Sequence, residues 1–443
     1  MFRPEAESAS EPARRSLQGR ALHELVAHLA RSRSEFWRDH LAAVDPDEIR
    51  SVDDLPALPF NQKSDLRDAY PWGMLAVPRS STIRAHASSG TSGKPTIVAY
   101  TARDIGIFAE VVARSIVCAG GLADDVLHVA YGYGLFTGGL GLHYGGERLG
   151  ATVIPASGGN VELQLQLLTD LQAHGLACTP SFGMLLAERA AAAGIRDLSL
   201  RYLICGAEPW SEGMRTKLEA AWTQLSRQPV IARDIYGLSE VIGPGVAMEC
   251  AESPGSLHVF DDHFLPEVLD PSTGSRVPDG QRGELVLTTI TKEAQPVVRY
   301  RTGDVTSLRR GTCTCGRTHP RIARIEGRTD DMLIIRGVNV FPREIETVIL
   351  EAEELNGAYA MVVDRRETLA ALEIHAEVAA PSVPAGLADR LGRDLTSRLR
   401  VTPRVVLHPQ GALPRTAVGK VQRVYHRDDA TDPLGLDDPD DDC

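Results

Sequence analysis

Residues 87–96 read ASSGTSGKPT, a run of glycines and small hydroxylic residues closed by Lys94 and Pro95. Hydroxyls at Ser88, Ser89, Thr91 and Ser92, one ammonium at Lys94, and backbone N–H groups bared by Gly90 and Gly93 are what a polyphosphate asks for. Each donates to oxygen, and the glycines let the backbone come close. On composition alone the run reads equally as a solvated loop. It is not a Walker loop, because that motif has a longer gap before its Gly-Lys pair and a hydroxylic residue after the lysine. Here only Thr91 and Ser92 precede Gly93-Lys94, and Pro95 follows. Nor does YGYGLFTGG (131–139) make a dinucleotide fingerprint, since Thr137 stands where its last glycine should be.

A second group has metal-ligand character. Cys313 and Cys315 stand one residue apart in GTCTCGRTH, and Cys250 and His258 lie upstream in neighbouring β-like text. Thiolates with one imidazole suit tetrahedral Zn²⁺, and a complete protein ligand set implies a structural rather than a catalytic ion. His319 competes with His258 for the fourth place, and buried free thiols are the plain alternative.

The elements that must carry these residues can be read from periodicity. Residues 105–119, 161–174, 181–193 and 211–225 have helical spacing, and the apolar runs VLHVAY, GLACT, LRYLIC and PVIARDIY fall between them. Such alternation predicts parallel strands covered by helices. Beyond residue 255, short β-like runs separated by DPSTG and PDGQRG predict a β-rich subdomain, about 250–326. The pattern then restarts, with helices near 342–353 and 385–399 and strands near 358–364, 370–378 and 404–408. The expected organisation is a flexible tail over 1–20, a large α/β domain over 21–329, a small α+β domain over 330–428 and an acidic tail over 429–443.

Five ordered motifs bind these parts together: the loop at 87–96, DIYGLSE (234–240), YRTGD (300–304), GRTDD (327–331) and PRTAVGK (414–420). Together they resemble the acyl-adenylate-forming family of acyl- and aryl-CoA synthetases, over about residues 20–428. Within it, AYGYGLFTGGLGLHYGGERLGATVIPASGG, GAEPW, YGLSEVIGPGVAMEC and RGVNVFPREIE look like the phenylacetate-CoA ligase branch.

The resemblance implies a two-step reaction: an acid is joined to AMP, then passed to coenzyme A. It assigns the pyrophosphate to Ser88–Lys94 and makes Tyr236 the adenine platform. Gly206, Ala207 and Glu208 lie along the base, Asp234 near its amino group, and Ile235, Gly237 and Leu238 in the same binding segment. Ser239 meets the α-phosphate, Glu240 binds Mg²⁺, and Asp304 takes the ribose hydroxyls. Ile325 packs on the nucleotide and Arg328 reaches ribose and phosphate. Asp330 is the hinge of a mobile small domain. Lys420, otherwise a solubilising lysine, bridges the carboxylate and the α-phosphate. Tyr131 and Phe136 surround an aromatic acid over the backbone of Gly206 and Ala207. Cys205 stands where larger Phe is common in the branch, a departure that either enlarges the pocket or simply repacks the sheet, so the expected substrate class is an aryl or arylacetic acid rather than phenylacetate alone.

Net charge is −12 and pI about 5.6, so nonspecific attraction to nucleic acid or anionic lipid is not expected. With no secretory leader or long apolar run visible and seven scattered cysteines, the expected location is the cytoplasm. The expected partners are ATP, CoA and an aromatic acid, with a homodimer entertained. Two rivals remain: transfer of the aryl group to a carrier-protein thiol, amine or hydroxyl, and a noncatalytic nucleotide sensor. Retention of Lys94, Glu240, Asp304 and Lys420 weighs against the sensor.

Overall fold

A computed structural model of the chain describes residues 1–88, 95–208, 210–328, 333–335, 338–340, 342–366, 370–414, 423–429 and 431–436. Ser89 to Lys94, Asp330 and Lys420 therefore lie outside the described residues. The chain divides into two units, 1–207 with 221–325, and 208–220 with 326–443. The sequence-expected boundary near 329 thus falls a few residues later than the observed one, and the segment 208–220 is a departure from it.

The first unit opens with helices α1 (Pro4–Glu7), α2 (Glu11–Arg31), α3 (Glu35–His40) and α4 (Lys63–Asp68). The expectation of a frayed tail over 1–20 is not met. Glu7 is fully buried, its carboxylate accepting the N–H groups of Phe2 and Arg3 and the Arg317 guanidinium at 2.6–2.8 Å. A buried carboxylate demands such partners, and they fasten the polar segment that hydropathy reads as loose.

A hairpin of β1 (Arg84–Ser88) and β2 (Thr96–Tyr100) brackets residues 89–94 in sequence. Helix α5 (Ala102–Cys118) follows, its start fixed by a capping box between Thr101 and Asp104. Strand β3 (Val126–Val129), α6 (Gly138–Leu149), β4 (Thr152–Ile154), α7 (Val161–Asp170), β5 (Gly175–Cys178), α8 (Pro180–Ala192) and β6 (Tyr202–Gly206) come next. Helix α9 (Glu212–Leu225) and β7 (Ile231–Leu238) complete the alternating part. Strands β3 to β7 pair in parallel in the order β4-β3-β5-β6-β7. The glycine-rich text after residue 131 is used for packing: a Cβ on Gly145 of α6 would stand 2.4 Å from Val112 Cγ1 of α5, so α6 lies against α5 only without one.

Beyond β7, the strands β8 (Gly243–Glu249), β9 (Ser256–Val259), β10 (Phe264–Leu269), β11 (Arg282–Thr289), β12 (Tyr300–Arg309) and β13 (Arg321–Ala323) are antiparallel. They continue the parallel strands in one sheet of order β10-β11-β12-β13-β9-β8-β7-β6-β5-β3-β4. The β-rich stretch is therefore part of the main sheet, not an appended layer.

In the second unit, β14 (Gly327–Arg328) precedes a hairpin of β15 (Leu333–Ile335) and β16 (Val338–Val340), then α10 (Pro342–Glu351). Strands β17 (Leu355–Asp364), β18 (Ala371–Val378), β19 (Arg404–His408) and β20 (Val424–Arg427) form a sheet of order β19-β18-β17-β20, with α11 (Leu387–Leu399) before β19. Leu387, Leu391, Leu395 and Leu399 give α11 one apolar stripe, which joins Ile345, Ile349 and Met361 in this unit's core. The acidic tail is also partly ordered: Leu434 packs with Ala360, Val362 and Leu413, while 437–443 lie outside the described residues.

Candidate active site

The predicted nucleotide residues of the first unit converge at the carboxyl ends of the parallel strands, where α/β sheets bind ligands. Gly206 ends β6, Ala207 follows with a positive φ of 70°, and Tyr236 to Leu238 end β7. Asp234 is held from behind: its N–H donates to Glu249 Oε2 at 2.8 Å and its carboxylate faces Arg324 Nε at 3.4 Å. The Tyr236 hydroxyl donates to Asp304 Oδ2 at 2.6 Å, joining the predicted adenine platform and ribose ligand directly. Gly237 has a packing reason: a Cβ there would stand 1.8 Å from the Gly243 carbonyl oxygen, where β7 and β8 leave register. Ile325 packs against this unit's core. Glu208 and Arg328, both half-buried, fall in the second unit.

Ser239 and Glu240 lie in the tight turn from β7 to β8 and are 6% and 5% exposed. The Ser239 hydroxyl meets that of Thr137 at 3.1 Å. Glu240 Oε1 accepts from Ser88 Oγ at 3.3 Å and faces the Lys63 ammonium at 3.5 Å. The carboxylate is thus matched to cations and donors, and its hard oxygen beside a phosphate-loop segment fits Mg²⁺, which binds through few carboxylates plus phosphate oxygens.

Two lysines escaped the sequence reading. Lys63 lies in α4, far from any motif; only its charge marks it. Lys292, fully buried in TKEAQ, donates to the carbonyls of Val241 at 2.9 Å and Glu240 at 3.4 Å. Burial pulls its ammonium down to about 8, with Asp104 and Glu240 opposing that shift.

Of the residues expected at the acid, Tyr131 is 5% exposed, and its hydroxyl lies 2.6 Å from the Cys178 carbonyl and 3.3 Å from that of Gly206. Its polar end ties β5 to β6. Cys205 is fully buried on β6, paired with Cys178 of β5 and Asp234 of β7. Phe136 is 38% exposed. His86 Nδ1 and the Ala87 N–H both reach the Leu135 carbonyl, docking this segment on β1.

The thiol cluster assembles in the antiparallel part. One ligand atom each from Cys250, His258, Cys313 and Cys315 lies within 4.8 Å of the others. Cys250 and Cys313 sulfurs are 3.8 Å apart, and Cys315 Sγ is 3.5 Å from His258 Nε2. A tetrahedral zinc with ordinary Zn–S and Zn–N bonds has S···S edges of about 3.8 Å and S···N edges of about 3.5 Å. His319 instead engages Asp261 through Nδ1 at 2.6 Å.

Residues 70–291 match the family model of the AMP-binding enzymes, and residues 337–428 match that of their C-terminal domain. A phenylacetate-coenzyme A ligase of Thermus thermophilus is 48% identical, with 96% of this chain and 99% of that protein covered. One from Escherichia coli is 45% identical over 95% of this chain and 96% of its own. A solved 2-hydroxyisobutyryl-CoA ligase in complex with 2-HIB-AMP superposes with a TM-score of 0.88 at 26% identity, covering 96% of this chain and 91% of that one.

Proposed function

The chain belongs to the phenylacetate-CoA ligase family of AMP-binding enzymes, and from that premise we propose how its residues divide the work. It is an AMP-forming acid–thiol ligase: it activates phenylacetate with ATP and transfers the acyl group to CoA. In the first half-reaction a carboxylate oxygen attacks the α-phosphorus, the bond to the bridging oxygen breaks, and pyrophosphate leaves. In the second, the CoA sulfur attacks the acyl carbon, AMP leaves, and the thiol proton passes to solvent.

Two anions meet in the first step, so the site must neutralise charge where it develops. Ser88 to Lys94 hold the β- and γ-phosphates and Ser239 the α-phosphate, and Glu240 would hold Mg²⁺, which would supply charge neutralisation at the phosphates. Tyr236 lies under adenine while its hydroxyl aims the Asp304 carboxylate at the ribose. Gly206, Ala207, Glu208, Asp234, Ile235, Gly237 and Leu238 border the base, with Ile325 and Arg328 on the ribose side. Lys420 bridges the carboxylate and the α-phosphate, and Asp330 is the hinge that lets 330–428 exchange this lysine for CoA. Phe136 borders the aromatic ring, with Tyr131 and Cys205 shaping the wall. The Tyr236–Asp304 hydrogen bond supports the reading most directly, because it brings together residues of two separate motifs, and the Ser88–Glu240 contact does the same for two more.

The same reading takes Cys250, His258, Cys313 and Cys315 as a structural Zn²⁺ site, supported by tetrahedral edge lengths in the cluster. It also takes the cytoplasm as the location, supported by the free thiols of the described cysteines. Among the described residues, no helix is long and apolar enough to cross a membrane.

Incubation with ATP, Mg²⁺ and a panel of aromatic acids tests the assignment. Phenylacetate should drive pyrophosphate exchange without CoA, and AMP with phenylacetyl-CoA when CoA is added. AMP without thioester would move the acceptor to a carrier thiol or an amine; no acid-dependent exchange at all would sink the enzyme reading.

A further inference from the structure

Lys292 is 2% exposed, and a buried ammonium costs several kcal/mol unless its partners are well arranged. An apolar residue would fill that space with no such cost, so the arrangement around this lysine calls for a reason. Its partners are the backbone of one turn. Its ammonium reaches the carbonyls of Glu240 and Val241, and the Tyr100 hydroxyl lies 3.3 Å from the Ser239 carbonyl and 3.0 Å from that of Ile242. Four consecutive carbonyls, Ser239 to Ile242, are thereby held by two side chains that also touch, with the ammonium 4.7 Å from the Tyr100 ring centre.

The clamp is itself anchored. Asp104, fully buried in the first turn of α5, accepts the N–H groups of Glu293 and Ala294 at 2.8 and 3.0 Å. Gln295 bonds the Ile97 carbonyl and the Ala99 N–H of β2, the strand that leaves the phosphate-loop segment. Segment 292–295 therefore grips the Ser239–Glu240 turn on one side and β2 on the other.

We propose that Lys292 is a positioning residue for adenylation: with Tyr100 it fixes the turn so that the Glu240 carboxylate and Ser239 hydroxyl meet the cation and α-phosphate in one orientation. This rests on the assignment of Glu240 and Ser239 made above. Lys292 touches no substrate and acts through the backbone of the groups that do.

The test compares wild type, Lys292→Met, Tyr100→Phe, Glu240→Gln and the Lys292→Met/Glu240→Gln pair in phenylacetate-dependent pyrophosphate exchange, titrating Mg²⁺ and ATP. Supporting groups behind metal ligands are commonly worth about 10–100-fold in metal affinity. Lys292→Met should therefore raise the Mg²⁺ concentration for half-maximal rate by about tenfold or more. Thiolysis of supplied phenylacetyl-AMP by CoA keeps the Ser239 contact to the α-phosphate but no longer involves pyrophosphate or its cation, so it should lose clearly less than adenylation. The double variant should be no worse than Glu240→Gln alone, as expected for residues acting through one another. Tyr100→Phe, which removes only a hydroxyl, should shift the Mg²⁺ requirement in the same direction by less, and it keeps the idea testable if Lys292→Met does not fold. Equal loss in both half-reactions with an unchanged Mg²⁺ requirement would reduce Lys292 to a packing role. An unchanged Mg²⁺ requirement in Glu240→Gln would overturn the metal assignment itself, and the clamp with it.

Discussion

Tyr236 illustrates how far a single residue's type can be read. A tyrosine at the end of a strand is equally a core residue, and at 9% exposure it is nearly one. Its hydroxyl meets Asp304, 68 residues away and in another of the ordered motifs. A hydrogen bond to a charged acceptor is worth about 1.5–3 kcal/mol. Tyr236→Phe keeps the ring but removes this hydrogen bond to the carboxylate, so KM for ATP should rise about tenfold or more, and so should KM for supplied adenylate, which carries the same adenosine; steady-state kinetics of each half-reaction measures this. The motif made Tyr236, Ser239, Glu240 and Asp304 visible because each sits in a short ordered string. Lys63 and Lys292 were invisible because nothing local marks them: their roles arise from tertiary contacts with a turn that stands far from either in sequence.

Elements were legible where periodicity was strong and illegible where glycine or charge masked it. Helix α5 and the strands β3, β5, β6 and β7 follow from apolar spacing within a few residues. Helix α6 is absent from the periodic stretches, since its glycines blur the apolar spacing while serving helix–helix contact. Adding a Cβ at Gly145 forces Val112 aside, and overpacking of this kind costs about 1–3 kcal/mol. Gly145→Ala should lower the denaturant midpoint accordingly without altering the slope, as urea melts would record. The zinc-ligand candidates were legible as a set, but the choice between two histidines was not, because only the fold pairs His258 with the thiols and His319 with Asp261. Protein purified without chelators should carry about one zinc per chain by elemental analysis. Cys313→Ser should lose it and melt at lower temperature, since metal binding energy is folding energy in such sites; metal-free wild type would remove the proposal.

For the whole molecule, the large departure from the sequence reading is continuity. Alternation implies a parallel sheet and turn-rich text implies a β subdomain, but nothing local says that β8 pairs with β7 and carries the sheet onward. Long-range charge then ties layers together. Arg114 in α5, 1% exposed at its side chain, pairs with Glu110 and with Asp262, which precedes β10. Burial alone would raise the Glu110 carboxyl, but His263 and Arg114 bring it down to about 2 from its ordinary 4.5. A depressed carboxyl adds stability that is whole above about pH 4.5 and fades as pH falls toward 2. Arg114→Met should cost about 1.5–3 kcal/mol near neutral pH, because two part-buried carboxylates lose one charged partner while Glu110 keeps Arg3 and His263 stays near both, and should flatten the acid limb of stability in that window; urea melts across pH follow both.

The buried Glu7 has a consequence for how the chain comes together in time. Its carboxylate has local N–H partners at Phe2 and Arg3 but waits for Arg317, 310 residues later, so it gains its cationic partner only after nearly all of the first unit has been made. Contacts of such separation carry a large loop-closure cost and form late. The amino end therefore closes the unit rather than founding it, joining the turn between Cys313 and His319 after the sheet is in place. In refolding, protection of the Phe2 and Arg3 amides should lag behind that of β5 and β6.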